Sequence, residues 1–186
     1  MIMTIPNMLS LLRIISLPFL FYLIRDDYPT AALCVLVGSW LTDLLDGFIA
    51  RTFNQRSKLG SYLDPIADKI VTASLFIFLT LFDRMPLWLT VIVVSRDVVI
   101  FGGLLVVFMP RKFPVASPSY LGKFTTFFQA LTLFVVMSDR VPALKGYLTK
   151  LYPVVLYTTA VLTVLSFVQY VLRGIALLNR GIAAEK

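Results

Sequence analysis

The longest uncharged stretch of the sequence is the 22-residue run Leu151–Leu172. A helix of about 20 apolar residues crosses the ~30 Å hydrocarbon core of a bilayer, and a run of this length is typical of such a helix. Hydrophobic residues make up 59% of the chain and charged residues 15%. Soluble domains are about half apolar and a quarter charged. The sequence therefore predicts an integral membrane protein.

Five further apolar segments have a similar length, which predicts an all-α, polytopic fold with six transmembrane helices. The predicted spans are Ile5–Ile24, Thr30–Arg51, Gly60–Phe82, Pro86–Phe108, Leu121–Ser138 and Leu151–Leu172. Only short connections remain, so we expect one membrane domain over residues 1–186. With a cytoplasmic amino terminus, nine lysines and arginines face the cytoplasm and five face the opposite side. The positive-inside rule therefore predicts that both termini and the segment after the second helix are cytoplasmic.

The residue types that are absent exclude several kinds of chemistry. The chain has no histidine and a single cysteine, Cys34, which excludes disulfides, Ser/His/Asp triads and thiolate zinc sites. The formal net charge is +7, but no basic cluster of the kind that follows nucleic acid is present. We therefore expect anionic membrane lipid, and no nucleic acid, as the partner of this positive charge.

Four carboxylates lie close together on two predicted membrane helices. Asp43 and Asp46 are three positions apart and Asp64 and Asp68 are four apart, so each pair shares one helix face. A charged residue inside a membrane segment costs roughly 2.5 kcal/mol or more and usually marks function. A short connection between the two helices would allow an antiparallel hairpin that brings the pairs together.

Four ionised carboxylates at one site repel each other unless cations neutralise them. All-oxygen ligation suits one or two divalent ions, magnesium or manganese, with calcium as a further option. The structural alternative is ion pairing with cations of the same region, namely Arg51, Lys58, Lys69 or Arg96. A functional alternative of a different class is a cation transporter, although such proteins usually contain repeated halves and the acidic motif occurs once here.

Two glycines accompany the acidic pairs. Gly47 follows Asp46 and Gly60 precedes Asp64, which leaves the backbone uncovered for a bulky ligand or for close helix packing. Arg51 lies eight residues beyond Asp43, where it could bind a phosphate or anchor the helix at the membrane interface.

These positions together form D-x-x-D-G-x-x-A-R, eight residues, then G-x-x-x-D-x-x-x-D. The specified residues are Asp43, Asp46, Gly47, Ala50, Arg51, Gly60, Asp64 and Asp68. This pattern resembles the signature of the CDP-alcohol phosphatidyltransferases at every specified position. The resemblance implies that the four aspartates bind two divalent metals, Mg²⁺ or Mn²⁺, and that Asp68 is the general base. It also implies that Gly47, Arg51 and Gly60 line the site for CDP-diacylglycerol.

Two groups within this family differ in the alcohol that accepts the phosphatidyl group. The segment Asn54–Ser61 and the run Ser95–Val98 are similar to cardiolipin synthases, whose acceptor is phosphatidylglycerol. Phosphatidylglycerophosphate synthases, which use glycerol-3-phosphate, tend to have a further arginine where this chain has Leu104. The resemblance therefore favours phosphatidylglycerol as acceptor and keeps glycerol-3-phosphate as the alternative, with Arg96, Arg111 and Lys123 as candidate acceptor-binding residues.

The pair Arg96 and Asp97 has a structural alternative, an ion-paired kink in the fourth helix. Because adjacent residues on a helix point to different faces, we expect these two side chains to have different partners. The family resemblance further implies a homodimer. The orientation from the positive-inside rule places the active site at the cytoplasmic side of the helix bundle, and we expect a bacterial or mitochondrial inner membrane as the location.

Overall fold

The computed structural model describes residues 5–52, 60–108 and 119–184, and the side chains of residues 11–42, 67–100, 102 and 119–176. This part of the chain forms six α-helices and contains no strand. The helices are α1 (Ile5–Arg25), α2 (Pro29–Thr52), α3 (Gly60–Leu81), α4 (Leu87–Phe108), α5 (Tyr120–Ser138) and α6 (Leu151–Ala184). The predicted all-α fold is therefore confirmed.

The first five helices begin and end within one residue of the predicted boundaries, because charged residues, prolines and turns limit the apolar runs. The sixth differs. It was expected to end at Leu172 but continues to Ala184, which gives a helix of 34 residues. The end of an apolar run does not interrupt backbone hydrogen bonding, and Ala176, Leu177 and Leu178 are strong helix formers.

The chain divides into two compact units. Unit 1 comprises Met1–Pro86 and Leu133–Lys150, and unit 2 comprises Leu87–Thr132 and Leu151–Lys186. In unit 1, α1 packs against both α2 and α3. The fully buried side chains of this unit include Leu20, Ile24, Leu36, Phe76 and Leu79. An edge-to-face ring pair, Phe21 and Phe78 with centroids 4.9 Å apart, adds a second contact between α1 and α3.

The helices α1 and α3 end in the same backbone motif. Asp27 and Asp83 have positive φ angles of 57° and 53°, and the following amides of Tyr28 and Arg84 donate to carbonyls five residues earlier. This is the Schellman arrangement, in which a left-handed residue closes the helix. Aspartate tolerates that conformation better than most residues because its short polar side chain bonds locally. The two ends are joined by an ion pair, with Arg84 Nη2 2.8 Å from Asp27 Oδ1.

In unit 2, α4 packs against α6, and the first part of α5 is hydrogen-bonded to α6. The hydroxyls of Thr132 and Thr159 are 2.7 Å apart, and Thr159 also donates to the carbonyl of Phe128. Thr125 donates to the carbonyl of Leu162 at 3.1 Å. Small residues that hydrogen-bond between helices are a common packing device in membrane bundles.

Large apolar side chains cover the outer faces of α1 and α6. On α1 they recur every three or four residues at Leu12, Ile15, Phe19 and Tyr22. On α6 they recur with the same spacing at Val154, Tyr157, Val161, Val164, Val168 and Leu172. A helix that is apolar all round belongs in a protein core or in a membrane. Within the described residues, two segments are long and apolar enough to cross a bilayer, Tyr120–Ser138 and Leu151–Ala176, which indicates membrane association.

Candidate active site

The acidic motif lies on two helices that both pack against α1. The carboxyl-terminal half of α2 contains Asp43, Asp46, Gly47 and Arg51, and α3 begins at Gly60. The uninterrupted helical backbone through Asp43 and Asp46 agrees with the predicted sharing of one face. Seven of the eight motif positions lie outside the residues whose side chains are described: Asp43, Asp46, Gly47, Ala50, Arg51, Gly60 and Asp64.

Asp68 is the member of the motif whose side chain is described. The packed face of α3 consists of Ala67, Val71, Leu75 and Leu79, each at most 5% exposed. Asp68 follows Ala67 by one position and is half-buried, so its carboxylate lies beside this face and not within it. A carboxylate placed there is partly shielded from solvent without being enclosed by the apolar core.

The donor types at the motif suit a hard divalent cation. The region offers carboxylates and no imidazole, and Cys34, the single thiol, is exposed and lies about 14 Å along α2 from Asp43. Oxygen-only ligation is the preference of magnesium and manganese. Among the residues with described side chains, no group of three potential ligands comes together. Three of the four aspartates are outside that set.

Arg96 and Asp97 form a buried ion pair in the middle of α4. Arg96 Nη1 is 2.5 Å from Asp97 Oδ1, and the side chains are 5% and 8% exposed. The expectation that these neighbours have different partners is therefore wrong. The long arginine side chain reaches back to its neighbour, because an unpaired charge in a buried apolar environment costs several kcal/mol.

Two residues of α6 complete the surroundings of Arg96, and the sequence offered no signal for either of them. Arg96 Nη2 donates to Ser166 Oγ at 2.7 Å, and the guanidinium lies 5.6 Å from the ring centroid of Tyr170. The spacing of Ser166 and Tyr170 places both on one face of α6. Ser166 differs from its neighbours only as a small polar residue within an apolar run, a feature that it shares with several threonines of α6.

The beginning of α5 lies against the same tyrosine. Ser119 caps the helix by accepting a hydrogen bond from the amide of Gly122 at 3.0 Å. A Cβ atom added to Gly122 would lie 3.0 Å from Tyr170 Oη, so the absence of a side chain at this position allows the close approach. Lys123 is exposed, with its ammonium 5.8 Å from the ring centroid of Tyr120.

Of the three predicted acceptor residues, Arg96 lies against Tyr170, and so does Gly122 at the start of α5. Lys123 follows Gly122 in sequence, and its ammonium lies by the ring of Tyr120. Arg111 lies outside the described residues.

The chain matches the model of one protein family over most of its length. The model of the CDP-alcohol phosphatidyltransferases matches residues 3–177, which include all eight motif positions. The chain belongs to this family. The match extends over all of α1 to α5 and most of α6, so it covers both compact units.

Individual phosphatidyltransferases resemble the chain to different extents. The human protein named cardiolipin synthase (CMP-forming) is 48% identical over 122 residues, which are 65% of this chain and 40% of the human protein. The Drosophila melanogaster protein named probable cardiolipin synthase (CMP-forming) is 38% identical over 90% of this chain and 57% of its own length. The chain therefore spans about two fifths of the human relative and little over half of the insect one.

A bacterial relative matches over nearly its whole length. The Aquifex aeolicus protein named CDP-diacylglycerol--glycerol-3-phosphate 3-phosphatidyltransferase is 35% identical over 92% of this chain and 96% of that protein. The names of the human and insect relatives thus give cardiolipin as the product, whereas the name of the bacterial relative gives glycerol-3-phosphate as a substrate.

Proposed function

We propose that the chain transfers the phosphatidyl group of CDP-diacylglycerol to an alcohol and releases CMP. The observation that carries the proposal is the complete eight-residue signature within a family match over residues 3–177. In the reaction, the acceptor hydroxyl oxygen forms a bond to the phosphatidyl phosphorus, and the bond from that phosphorus to CMP breaks. The family match favours this activity over the cation-transporter alternative.

Asp43, Asp46, Asp64 and Asp68 are the proposed ligands of two divalent ions, Mg²⁺ or Mn²⁺. When bound, such ions neutralise the charge of the diphosphate and stabilise the developing charge on the leaving group. We assign to Asp68 the removal of the proton from the acceptor hydroxyl, a role that suits a half-buried carboxylate. Arg51 would contact a phosphate of the CDP-lipid, and the uncovered backbone at Gly47 and Gly60 would admit the nucleotide.

Phosphatidylglycerol is the proposed acceptor, and cardiolipin is then the product. The 48% identity to the human cardiolipin synthase supports this choice. The surroundings of Arg96 support it independently, because Asp97 already neutralises the guanidinium. A dianionic acceptor would need uncompensated positive charge, whereas the phosphodiester of phosphatidylglycerol carries a single charge. We assign to Arg96, Arg111 and Lys123 contacts with this acceptor.

Glycerol-3-phosphate is the second candidate acceptor. It is favoured by the similarity to the Aquifex aeolicus glycerol-3-phosphate transferase, which extends along nearly the whole of both chains. The exposed ammonium of Lys123 is available to contact its phosphate.

We further propose one membrane domain of six transmembrane helices over residues 1–186, with cytoplasmic termini and active site. The apolar outer faces of α1 and α6 support lipid exposure of these helices. A homodimer in a bacterial or mitochondrial inner membrane completes the proposal.

The deciding experiment measures CMP release and lipid product. Purified protein is incubated with CDP-diacylglycerol and Mg²⁺ or Mn²⁺, with phosphatidylglycerol and glycerol-3-phosphate supplied in separate reactions. Metal-dependent CMP release with cardiolipin as product is the expected result. CMP release with glycerol-3-phosphate alone would overturn the acceptor and retain the transferase, whereas no CMP with either alcohol would overturn the proposed activity.

Asp68→Asn tests the proposed base in the same assay. The variant should lose turnover by a factor on the order of 10² or more, because an amide does not accept the hydroxyl proton. Asp83→Asn is the matched control, since it makes the same chemical change at an exposed position where asparagine tolerates the left-handed backbone. Near-normal turnover in Asp68→Asn would require a different base.

A further inference from the structure

The helix α6 carries its apolar and polar residues on the opposite sides from those of a helix in a soluble protein. Between Tyr157 and Arg173, the residues with exposed side chains are all valine or leucine: Val161, Val164, Leu165, Val168, Val171 and Leu172. Three hydroxyl residues of the same stretch are fully buried: Thr159, Thr163 and Ser166. A continuous stripe of aliphatic side chains is unfavourable in water, so an apolar medium or an apolar partner covers this face.

The composition of the stripe favours lipid over another helix as its cover. Helices that pack against each other in a membrane use small residues and hydrogen bonds between helices. On α6 these devices lie on the buried side, where Ala160 is packed and the Thr159 hydroxyl bonds to Thr132 of α5. The exposed positions between Tyr157 and Arg173 contain no glycine, alanine, serine or threonine. Valine and leucine side chains without such residues match acyl chains better than a second copy of this chain.

An aromatic pair lies at one end of the stripe. The rings of Trp88, at the start of α4, and Tyr157 are stacked with centroids 5.9 Å apart, and both side chains are exposed. Tryptophan and tyrosine are enriched where a membrane meets water, because each combines an apolar ring with one polar group. Lys150 lies seven residues before Tyr157, so charge begins about 10 Å beyond the ring pair.

Arg173 lies at the other end of the stripe. It is exposed and is the first charged residue of α6. The helix rises over 16 residues from Tyr157 to Arg173, which is about 24 Å. A long arginine side chain also extends its charge beyond its own Cα toward water. The two polar ends are therefore separated by nearly the ~30 Å thickness of a hydrocarbon core.

We propose that lipid acyl chains cover the exposed face of α6 between Tyr157 and Arg173, with the Trp88–Tyr157 pair at one membrane–water boundary and Arg173 at the other. The inference rests on the proposed membrane domain and adds the depth of one helix within it. It places residues 174–184 of α6 outside the hydrocarbon core. It also assigns the contact of the proposed homodimer to a surface other than this face.

Tryptophan fluorescence measures the depth of the ring pair. The chain has two tryptophans, Trp40 and Trp88, so Trp40→Phe and Trp88→Phe each leave one of them. Each variant is reconstituted in phosphatidylcholine brominated near the glycerol end or near the methyl end of its acyl chains, because bromine quenches fluorescence only at close range. Trp40 is the internal reference, since it lies 11 residues, about 16 Å, from the start of α2 and hence near the midplane.

We expect glycerol-end bromine to quench Trp88 about twofold or more strongly than methyl-end bromine, as a residue at the membrane–water boundary requires. Trp40 should show the opposite order. If Trp40 behaves as expected while methyl-end bromine quenches Trp88 more strongly, or neither lipid quenches Trp88, the proposed boundary is overturned and the membrane domain is retained. If neither lipid quenches either tryptophan, the membrane domain and this inference fail together.

A spin label on α6 distinguishes lipid from a second copy of the chain. Cys34→Ser removes the single cysteine, and Leu165→Cys then places a nitroxide midway between Tyr157 and Arg173. Lys150→Cys in the same background is the control, since it is exposed and lies just before α6. Molecular oxygen, which concentrates in lipid, and a water-soluble nickel chelate are the two collision reagents.

The ratio of oxygen to nickel accessibility should be about fivefold or more higher at Leu165→Cys than at Lys150→Cys, because the label at position 165 lies in hydrocarbon. Low accessibility to both reagents together with spin–spin broadening at Leu165→Cys would show contact with a second copy and overturn the lipid as the cover. Equal ratios at the two positions would show that water reaches the stripe, which would also overturn the proposal.

Discussion

Two of the arginine–aspartate pairs that the structure describes differ in how far the aspartate is exposed. Arg84 and Asp27 are 57 residues apart in sequence and join the ends of two helices, with the Asp27 side chain 69% exposed. Arg96 and Asp97 are adjacent in sequence and lie inside unit 2, where both side chains are less than a tenth exposed. The first pair holds the ends of α1 and α3 together. The second gives a buried guanidinium its counter-ion.

We expect exposure, more than distance, to determine how much the loss of one partner destabilises the protein. An exposed pair gains little because water solvates each partner when the other is removed. A buried pair also gains little on balance, but the loss of one partner leaves a charge with neither water nor counter-ion. The four predictions below test this contrast, from the largest effect on stability to the smallest.

Asp97→Leu should produce the largest effect. The substitution leaves the Arg96 guanidinium buried without its counter-ion, and we expect a loss of about 3–5 kcal/mol in the free energy of unfolding. Chemical unfolding in detergent measures the change. Asp26→Leu provides the comparison at an exposed aspartate whose arginine contact is 3.8 Å long. A loss below about 1 kcal/mol in Asp97→Leu would show that the buried pair is not electrostatically important.

Thr132→Val removes an uncharged polar contact between α5 and α6 and should have an intermediate effect. The Thr132 hydroxyl lies 2.7 Å from that of Thr159, so we expect a loss of about 0.5–1.5 kcal/mol. Thr126→Val is the matched control on the same helix, because the Thr126 hydroxyl bonds only to the Gly122 carbonyl one turn earlier. Equal losses in the two variants would remove the interhelical bond as the cause.

Asp27→Asn should have a small effect, below about 1 kcal/mol, because the Asp27 side chain is 69% exposed. Asparagine adopts the same left-handed backbone and retains an oxygen that can accept from Arg84. The difference from wild type should shrink as sodium chloride is raised, since salt screens exposed charges. If Asp27→Asn lowered the free energy of unfolding as much as Asp97→Leu, the exposure of the aspartate would not explain how the two pairs differ.

The double variant Arg96→Met/Asp97→Leu should be the closest to wild type, within about 1 kcal/mol, because it removes both charges at once. Because this variant should remain folded, a loss of turnover in it would reflect a functional role of the pair and not a loss of structure. If Arg96 contacts the acceptor, CMP release with phosphatidylglycerol should fall by about tenfold in a stable protein. Wild-type turnover in this variant would contradict the assignment of Arg96 to the acceptor site.

The sequence was sufficient to predict the number of helices in the described residues, the boundaries of the first five, and the family. The apolar runs are bounded by charged residues and prolines, and for this reason five predicted helices agree with the structure to within one residue. The motif could be identified because its residues are local, within 26 positions of one another on two successive helices.

The contacts between residues far apart in the chain could not be predicted from the sequence. Ser166 lies 70 residues from Arg96, and nothing in the apolar run of α6 distinguishes it from the other small polar residues that help helices pack. The mutual pairing of Arg96 and Asp97 was missed for a different reason. Helical spacing specifies where Cβ atoms point, but the long, flexible arginine side chain can reach a neighbour on another face. It does so here because a buried guanidinium without a counter-ion is strongly unfavourable.

The length of α6 has a practical consequence. Its 34 residues extend for about 51 Å, whereas the hydrocarbon core of a bilayer is about 30 Å thick. If α6 spans that core, roughly 20 Å of continuous helix projects beyond it. A small folded protein joined in helical register to this projection would be held at a defined angle to the membrane, as a rigid marker for aligning single particles in electron micrographs.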